Sequence, residues 1–301
     1  MRAVVLTDYG DVDRLELREL PDPTPGPNEI LVRVAAASIN PIDWKLRSGA
    51  GRAYMPLELP AVLGRDASGT VIALGPGATG FTLGERVMGL LHGAYAEKVA
   101  APVTAWAEVP GDLDLVNAAA LPLVALTGAQ LVEDAVNIRE GEALLVTGAT
   151  GSVGRAAVLV AQQRGAKVYA GVRAKHRAEA AALAATAVIA LDDDADLARL
   201  PPLDALADTV GGAATQKLLA KLKPGGRIGS VVGEPAGAKE RGLVVRAFLA
   251  HPDSRRLAEL GRAAAAGKLV IPIAKRFPLA ETAQAQQLAE RGAGGKVLLI
   301  P

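Results

Sequence analysis

The chain has 301 residues, half of them hydrophobic, so it is long enough for one to three domains with a sizeable core. Its 33 basic and 32 acidic residues give a formal net charge of +1 and no long block of one sign, which excludes the charge pattern of a nucleic-acid-binding protein. Because there is no cysteine, disulfides, thiolate nucleophiles and thiolate zinc sites are excluded.

The first 120 residues predict an all-β, barrel-like domain. Short apolar runs are separated by glycine and proline turns, and by a proline-rich loop over 21–27. The predicted strands are Arg2 to Thr7, Glu29 to Ala36, Gly69 to Leu74, Arg86 to Leu90 and Ala94 to Val99.

No stretch has the length and hydropathy of a signal peptide or a membrane span. The longest apolar segment, residues 118–132, is interrupted by Pro122, Gly128 and Gln130 and falls short of the roughly 18 residues that a span needs. We therefore expect a cytoplasmic protein without a membrane partner.

From about residue 121, strands alternate with helices, which predicts a doubly wound parallel sheet. The predicted helices are Ala125 to Asn137, Val153 to Arg164, His176 to Ala184 and Ala213 to Leu222; the predicted strands are Ala143 to Thr147, Lys167 to Val172, Val188 to Leu191, Leu203 to Val210 and Gly226 to Val232. A tail follows with helices Ser254 to Ala266 and Glu281 to Arg291 and a closing strand Val297 to Ile300.

The strand at 143–147 leads through a glycine-spaced loop into a helix, a pattern typical of dinucleotide binding. Such a loop lets backbone N–H groups and the helix N-terminus approach a phosphate. The predicted phosphate-binding residues are Gly148, Ala149, Thr150, Gly151, Ser152, Val153 and Gly154. The alternative is that the three glycines only form the tight turn that any parallel α/β protein requires.

The next strand ends about 20 residues after the loop, where an acidic residue would select NAD. This chain instead has Arg173, followed by Lys175 and Arg177, which suits the 2′-phosphate of NADPH. The alternative is a solvated helix start, although cations there oppose the helix dipole. We therefore predict NADPH as the cofactor.

The order of several motifs resembles the zinc-independent quinone oxidoreductase branch of the medium-chain dehydrogenase/reductase superfamily. The motifs that carry this resemblance are Ser38-Ile39-Asn40-Pro41-Ile42-Asp43-Trp44-Lys45, Gly64-Arg65-Asp66-Ala67-Ser68-Gly69, Gly93-Ala94-Tyr95-Ala96-Glu97, the glycine loop, Asp208-Thr209-Val210-Gly211-Gly212, Leu222-Lys223-Pro224-Gly225-Gly226 and Gly295-Lys296-Val297. The resemblance implies an α/β protein with a GroES-like β-barrel catalytic domain at 1–120, a Rossmann domain at 121–253 and a C-terminal segment at 254–301 that returns to the catalytic domain. It also implies a cofactor cleft between the domains.

The resemblance further implies the chemistry and its residues. Hydride would pass from NADPH to a quinone or an α,β-unsaturated carbonyl compound without a metal, because zinc-bearing relatives have a His-Glu pair where this chain has Arg65-Asp66. The residues implied around the nicotinamide are Asn40, Asp43, Thr127, Val210, Val232 and Gly233, and Asn40 and Tyr54 are the catalytic candidates. Asn40 and Asp43 have a plainer alternative as turn and helix-cap residues.

Two alternative functions stay open. The glycine loop is also typical of extended short-chain dehydrogenases, but no tyrosine in this chain is followed four places later by the lysine which that class uses. A non-catalytic NADPH-binding redox sensor is not excluded by any residue.

The apolar run Gly242 to Ala250 predicts a homodimer through strand pairing, unless it is a buried strand within one monomer.

Overall fold

The computed structural model describes residues 1–301, and the chain divides into two compact units. The first unit consists of Met1–Leu123 together with Pro252–Pro301, and the second is Val124–His251. The C-terminal tail is therefore part of the same unit as the first 123 residues.

The secondary structure comprises sixteen strands and nine α-helices. The strands are β1 (Arg2–Leu6), β2 (Leu15–Glu19), β3 (Glu29–Ser38), β4 (Ala61–Val62), β5 (Asp66–Leu74), β6 (Arg86–Leu90), β7 (Lys98–Pro102), β8 (Trp106–Glu108), β9 (Ala143–Thr147), β10 (Lys167–Val172), β11 (Ala187–Ala190), β12 (Leu203–Asp208), β13 (Leu222–Ser230), β14 (Val244–Ala247), β15 (Ile273–Pro278) and β16 (Lys296–Ile300). The helices are α1 (Pro41–Arg47), α2 (Leu115–Ala118), α3 (Pro122–Gln130), α4 (Ser152–Gln163), α5 (Arg177–Ala181), α6 (Asp194–Ala198), α7 (Gly212–Leu218), α8 (Ser254–Ala265) and α9 (Thr282–Glu290).

The first unit contains two sheets. A three-stranded sheet has the order β2-β1-β4, and a larger sheet has the order β15-β16-β3-β5-β6-β8, with β7 also paired to β3. Strand β16 pairs antiparallel with the end of β3, and the N–H of Ile39 donates to the carbonyl of Val297. This pairing brings the C-terminal strand beside the start of α1.

The second unit is built on a six-stranded parallel sheet with the order β11-β10-β9-β12-β13-β14. Strand β9 is buried along its whole length, as its continuous apolar sequence predicts. The direction of winding reverses between β9 and β12, and ligands of such sheets bind outside the carboxyl ends of the strands at that point. The prediction of a doubly wound parallel sheet is confirmed.

Several elements differ from the sequence-based expectations. The predicted strand Ala94 to Val99 is displaced to β7, and only Ala96 forms an isolated bridge, to Ala3. Strand β2 was not predicted because four of its five residues are exposed, which weakens the alternation of apolar and polar side chains. The predicted helix Ala125 to Asn137 begins earlier, at Pro122, and continues after Gln130 as a short π-helix, Leu131–Ala135.

No helix combines the length and apolar character that crossing a membrane requires.

Candidate functional site

The glycine loop of the second unit connects β9 to α4. Gly148 has a φ of +61°, a conformation that L side chains rarely adopt. A Cβ added at Gly154 would lie 2.2 Å from the carbonyl oxygen of Gly148, so the first turn of α4 packs directly on the loop backbone. The first N–H groups of a helix have no acceptor within it and can bind a phosphate. These features fit the diphosphate of a dinucleotide.

A second loop, which follows β12, is held against the first by Asp208. The carboxylate is fully buried, and its Oδ1 accepts hydrogen bonds from the hydroxyls of Thr147 (2.8 Å) and Thr215 (2.9 Å) and from the N–H of Gly211 (3.0 Å). The hydroxyl of Thr209 donates in turn to the carbonyl of Thr147, 2.7 Å away. Both loops at the switch point are therefore fixed by side chains.

A cavity of about 610 Å³ lies at the carboxyl ends of these strands, within the usual size range of ligand pockets. It is lined by Gly148, Thr150, Gly151, Val172, Arg173, His176, Leu191, Asp192, Thr209, Val210, Gly211 and Ala214. The lining combines the glycine loop, the end of β10 and the loop after β12, which is the combination that a dinucleotide site requires.

The three predicted basic residues separate in the structure. Arg173 lines the cavity, and its guanidinium makes no hydrogen bond or ion pair with the protein, whereas Lys175 is exposed and does not line the cavity. Arg177 donates to the carboxylate of Asp196 on α6, so one of its guanidinium nitrogens is used within the fold. That Lys175 and Arg177 contact the cofactor phosphate stays a prediction.

Two further ionisable side chains line the same cavity. His176 has its Nδ1 3.3 Å from Oε2 of Glu179, and Asp192 accepts a hydrogen bond from the N–H of Ala174 (2.8 Å). Asp192 is the one carboxylate in the lining, and it opposes the attraction that Arg173 exerts on an anion.

The other predicted residues of the second unit lie in the loops after β12 and β13, on α3, and in the glycine loop with the start of α4. Val210 lines the cavity, and Val232 and Gly233 follow β13. Val232 is close to the loop after β12, because a Cβ added at Gly211 would lie 3.0 Å from its Cγ2. Thr127 is buried on α3. Ala149, Ser152, Val153 and Gly154 complete the loop and the start of α4 without lining the cavity. The roles expected for these residues stay predictions.

In the first unit, Asn40 and Asp43 lie at the start of α1 inside a buried polar cluster. The Asn40 amide nitrogen donates to Oδ2 of Asp66 (2.8 Å) and to the carbonyl of Ser38 (3.2 Å), and its Oδ1 accepts from Nζ of Lys296 (2.6 Å). Both amide hydrogens are thus used within the protein. A catalytic part for Asn40 stays a prediction, and only its oxygen has capacity for a further hydrogen bond.

The carboxyl of Asp43 is held on one side only. Its Oδ2 accepts hydrogen bonds from the N–H of Asn40 and the hydroxyl of Tyr95, both at 2.8 Å, while the buried Oδ1 has no partner. Burial raises the pKa of Asp43 to about 7, although both hydrogen bonds lower it. The carboxyl is therefore close to half protonated at neutral pH.

The same buried cluster contains a positive and a negative side chain, Lys296 and Asp66, from distant parts of the sequence. Nζ of Lys296 lies 3.7 Å from Oδ2 of Asp66. Burial raises the pKa of Asp66 and lowers that of Lys296, and the attraction between the two opposes both shifts. No pattern in the sequence indicated a role for Tyr95 or Lys296 in this site, although both lie in motifs that carried the resemblance.

Tyr54, the second catalytic candidate, is 46% exposed, and its hydroxyl has no partner in the protein. It lies in the segment between α1 and β4, where its N–H donates to the carbonyl of Gly51 (3.2 Å). The side chain is accessible to a ligand, and its part in catalysis stays a prediction.

Comparison with known proteins assigns the family. Residues 26–111 match the alcohol dehydrogenase GroES-like domain, and residues 183–299 match a family described as zinc-binding dehydrogenase. A 2-haloacrylate reductase from Burkholderia sp is 30% identical over 99% of this chain and 98% of its own length. The chain belongs to the medium-chain dehydrogenase/reductase superfamily. The expected GroES-like and Rossmann-like folds are thereby confirmed.

Relatives within this superfamily include quinone oxidoreductases. The human quinone oxidoreductase is 33% identical over 56% of this chain and 51% of its own length. The solved structure of the quinone oxidoreductase from Coxiella burnetii has a TM-score of 0.89 at 32% identity, and covers 100% of this chain and 99% of its own. As a medium-chain dehydrogenase/reductase, the protein is an oxidoreductase of a family that binds a nicotinamide dinucleotide.

The donor set does not fit a zinc centre, despite the description of the second matching family. No group of three or more His, Cys, Asp or Glu side chains could hold a metal ion. Arg65 and Lys296, both cations, are neighbours of Asp66 in the first unit. Positive side chains near a carboxylate disfavour a metal cation at that point.

Proposed function

We propose that the protein reduces quinones or α,β-unsaturated carbonyl compounds by hydride transfer from NADPH, without a metal. The observation that carries the cofactor assignment is Arg173, which lines the cavity beside the glycine loop and whose guanidinium has no partner in the protein. The acceptor class is supported by the names of the relatives, which include quinone oxidoreductases, a 2-haloacrylate reductase and an acryloyl-coenzyme A reductase.

The glycine loop and Arg173 bind two different anionic groups in the cofactor's nucleotide half. Backbone N–H groups at the start of α4 bind the diphosphate, and the guanidinium binds the 2′-phosphate through charge-assisted hydrogen bonds. His176 lies in the same lining and adds a second nitrogen donor, while Asp192 reduces the net attraction. NADPH is preferred because NADH offers Arg173 no phosphate at that position.

The bound cofactor supplies a hydride from C4 of its nicotinamide. In the acceptor, the β-carbon of a C=C bond takes the hydride with its two electrons, and a proton from solvent completes the reduction. The protein binds and orients the two reactants and excludes water. Thr127, Val210, Val232 and Gly233 border the nicotinamide in this proposal, as do Asn40 and Asp43.

Tyr54 donates a hydrogen bond to the acceptor's carbonyl oxygen in this proposal. The supporting observations are its exposed ring and its hydroxyl, which has no protein partner. Such a donor stabilises the negative charge that develops on the oxygen as hydride arrives.

Acceptor-dependent loss of the absorbance of reduced nicotinamide tests this function. A simple quinone and a short enone are each assayed with NADPH and with NADH, in the presence and absence of a chelator. We expect turnover that prefers NADPH and is unaffected by the chelator. Tight NADPH binding without turnover of any acceptor would contradict the proposal and favour a redox sensor.

A further inference from the structure

Arg65 is a nearly buried cation whose hydrogen-bonding capacity is mostly unused. Its side chain precedes β5 in the first unit and is 6% exposed. Nε donates to the carbonyl of Leu91 (2.8 Å), and Nη1 approaches the sulfur of Met55 (3.3 Å), which is a weak acceptor. A guanidinium has five N–H groups, so three of them have no acceptor in the protein.

A second buried arginine of the same unit, Arg47, is paired with polar side chains of the protein. Arg47 is 4% exposed; its Nη1 donates to Gln286 (2.7 Å), and its Nη2 forms an ion pair with Glu290 (3.3 Å). Arg65 forms no ion pair within 4 Å. Because a buried charge is costly unless it is paired, this difference indicates a partner that the protein itself does not provide.

The nearby carboxylates do not neutralise Arg65. Asp66 is already hydrogen-bonded to Asn40 and faces Lys296, and Asp43 is bonded to Tyr95. Two cations, Arg65 and Lys296, thus stand near two acids, one of which is close to half protonated at neutral pH. The cluster can accept one further negative charge.

The surroundings of Arg65 belong to two loops. Met55 follows the exposed Tyr54 directly in the segment before β4, and Leu91 and His92 follow β6. Burial and the Arg65 guanidinium lower the pKa of His92, which keeps this imidazole neutral. His92 therefore adds no second positive charge next to Arg65.

We propose that Arg65 binds the carboxylate of the acceptor, which makes α,β-unsaturated acids the preferred substrates. This inference rests on the proposed function. The planar N–H fork matches a carboxylate in a two-point contact. An ionised carboxylate pushes electron density into a conjugated C=C bond and makes it a poorer hydride acceptor. Pairing with a guanidinium reduces that effect and fixes the orientation of the alkene.

Steady-state kinetics with a matched pair of acceptors test this. β-Acetylacrylate carries the carboxylate, and its methyl ester has the same enone without the charge. We expect a KM for the acid about tenfold or more below that for the ester. Arg65→Met should remove this difference by raising the KM of the acid, while the ester changes less than about twofold. Arg65→Lys should restore part of the KM difference between acid and ester, because lysine keeps the positive charge but lacks the paired N–H groups of the guanidinium.

Arg33→Met is the control, since it removes one exposed cation from the same unit. It should leave both KM values unchanged. Equal KM values for acid and ester in the wild type, or equal changes for both in Arg65→Met, would overturn the inference.

A binding measurement separates this inference from the hydride-transfer proposal. Levulinate, the saturated acid, should raise the melting temperature of the wild type and of Arg33→Met, and methyl levulinate should not. Arg65→Met should lose the response to levulinate. If no acceptor is reduced, the proposed function fails, but the change in melting temperature with levulinate still tests whether Arg65 binds a carboxylate. If levulinate does not raise the melting temperature of the wild type, the carboxylate site is refuted.

Discussion

Arg173 and Arg177 lie on the same short segment, but their guanidinium groups have different neighbours. Arg177 is bound to Asp196, whereas Arg173 lines the cavity without a protein partner. A sequence shows the positive charges but not which of them folding has already neutralised. Among the three basic residues predicted to contact the 2′-phosphate, Arg173 is therefore the first to test.

Removing the Arg173 side chain should weaken NADPH binding selectively. We expect Arg173→Ala to cost about 1.5–3 kcal/mol, a ten- to hundredfold rise in Kd for NADPH, with little change for NADH. Lys167→Ala is the control, because it removes an exposed positive charge at the other end of β10, outside the cavity lining. Titration by calorimetry measures both cofactors, and equal losses for NADPH and NADH would exclude the phosphate contact.

Asp43 makes the stability of the protein depend on pH. Its pKa is raised to about 7 by burial, so between about pH 4 and pH 7 the folded protein holds a proton that the unfolded chain releases. The contribution of Asp43 to stability is therefore fully present below this range and is lost as the pH rises through it, a loss of about 4 kcal/mol from this group.

Asp43→Asn should flatten that part of the pH profile. Urea unfolding at several pH values would measure it as the difference in unfolding free energy between wild type and variant. Asp112→Asn, at an exposed position of the same unit, should leave the wild-type slope intact. A slope in Asp43→Asn as steep as in the wild type would show that other groups cause it.

Among the secondary-structure elements, the sequence predicted correctly those that are marked by a pattern of neighbouring residues. Strands β9 and β10 begin and end at the predicted residues, because a continuous apolar run bounded by glycine or charge has few alternatives. The buried cluster could not be predicted in this way, since Lys296 meets Asn40 across 256 positions through the pairing of β16 with β3. No local pattern encodes such a contact.

Strand β14 forms one edge of the six-stranded sheet and pairs only with β13. Val244 is 51% exposed, so the run that predicted a dimer lies at an edge and not inside the unit. An exposed apolar edge is well suited to pair with its copy in a second chain. A homodimer stays a prediction at this stage.

Light scattering should return a mass near twice the 30.8 kDa of one chain. Val244→Asp should produce monomers, because it places a charge on the proposed strand pair. Val270→Asp changes an equally exposed valine of the other unit and should remain dimeric. A wild type that elutes and scatters as a monomer would contradict the dimer.

At the scale of the whole molecule, each unit contributes a different kind of site. The second unit provides a cavity at the switch point of a parallel sheet, with a glycine loop and an unpaired arginine suited to a dinucleotide. The first unit provides a buried charge cluster assembled from both ends of the chain, with no donor set for a metal. These two observations support the proposed reduction by hydride transfer from NADPH.

The most direct test of this account follows the hydride itself. NADPH carrying deuterium at both positions of C4 is incubated with the protein and a short enone, and the product is analysed by mass spectrometry and NMR. The account predicts one deuterium in the product, on the carbon β to the carbonyl. A reduced product without deuterium, or no reduced product with any quinone or enone, would contradict it.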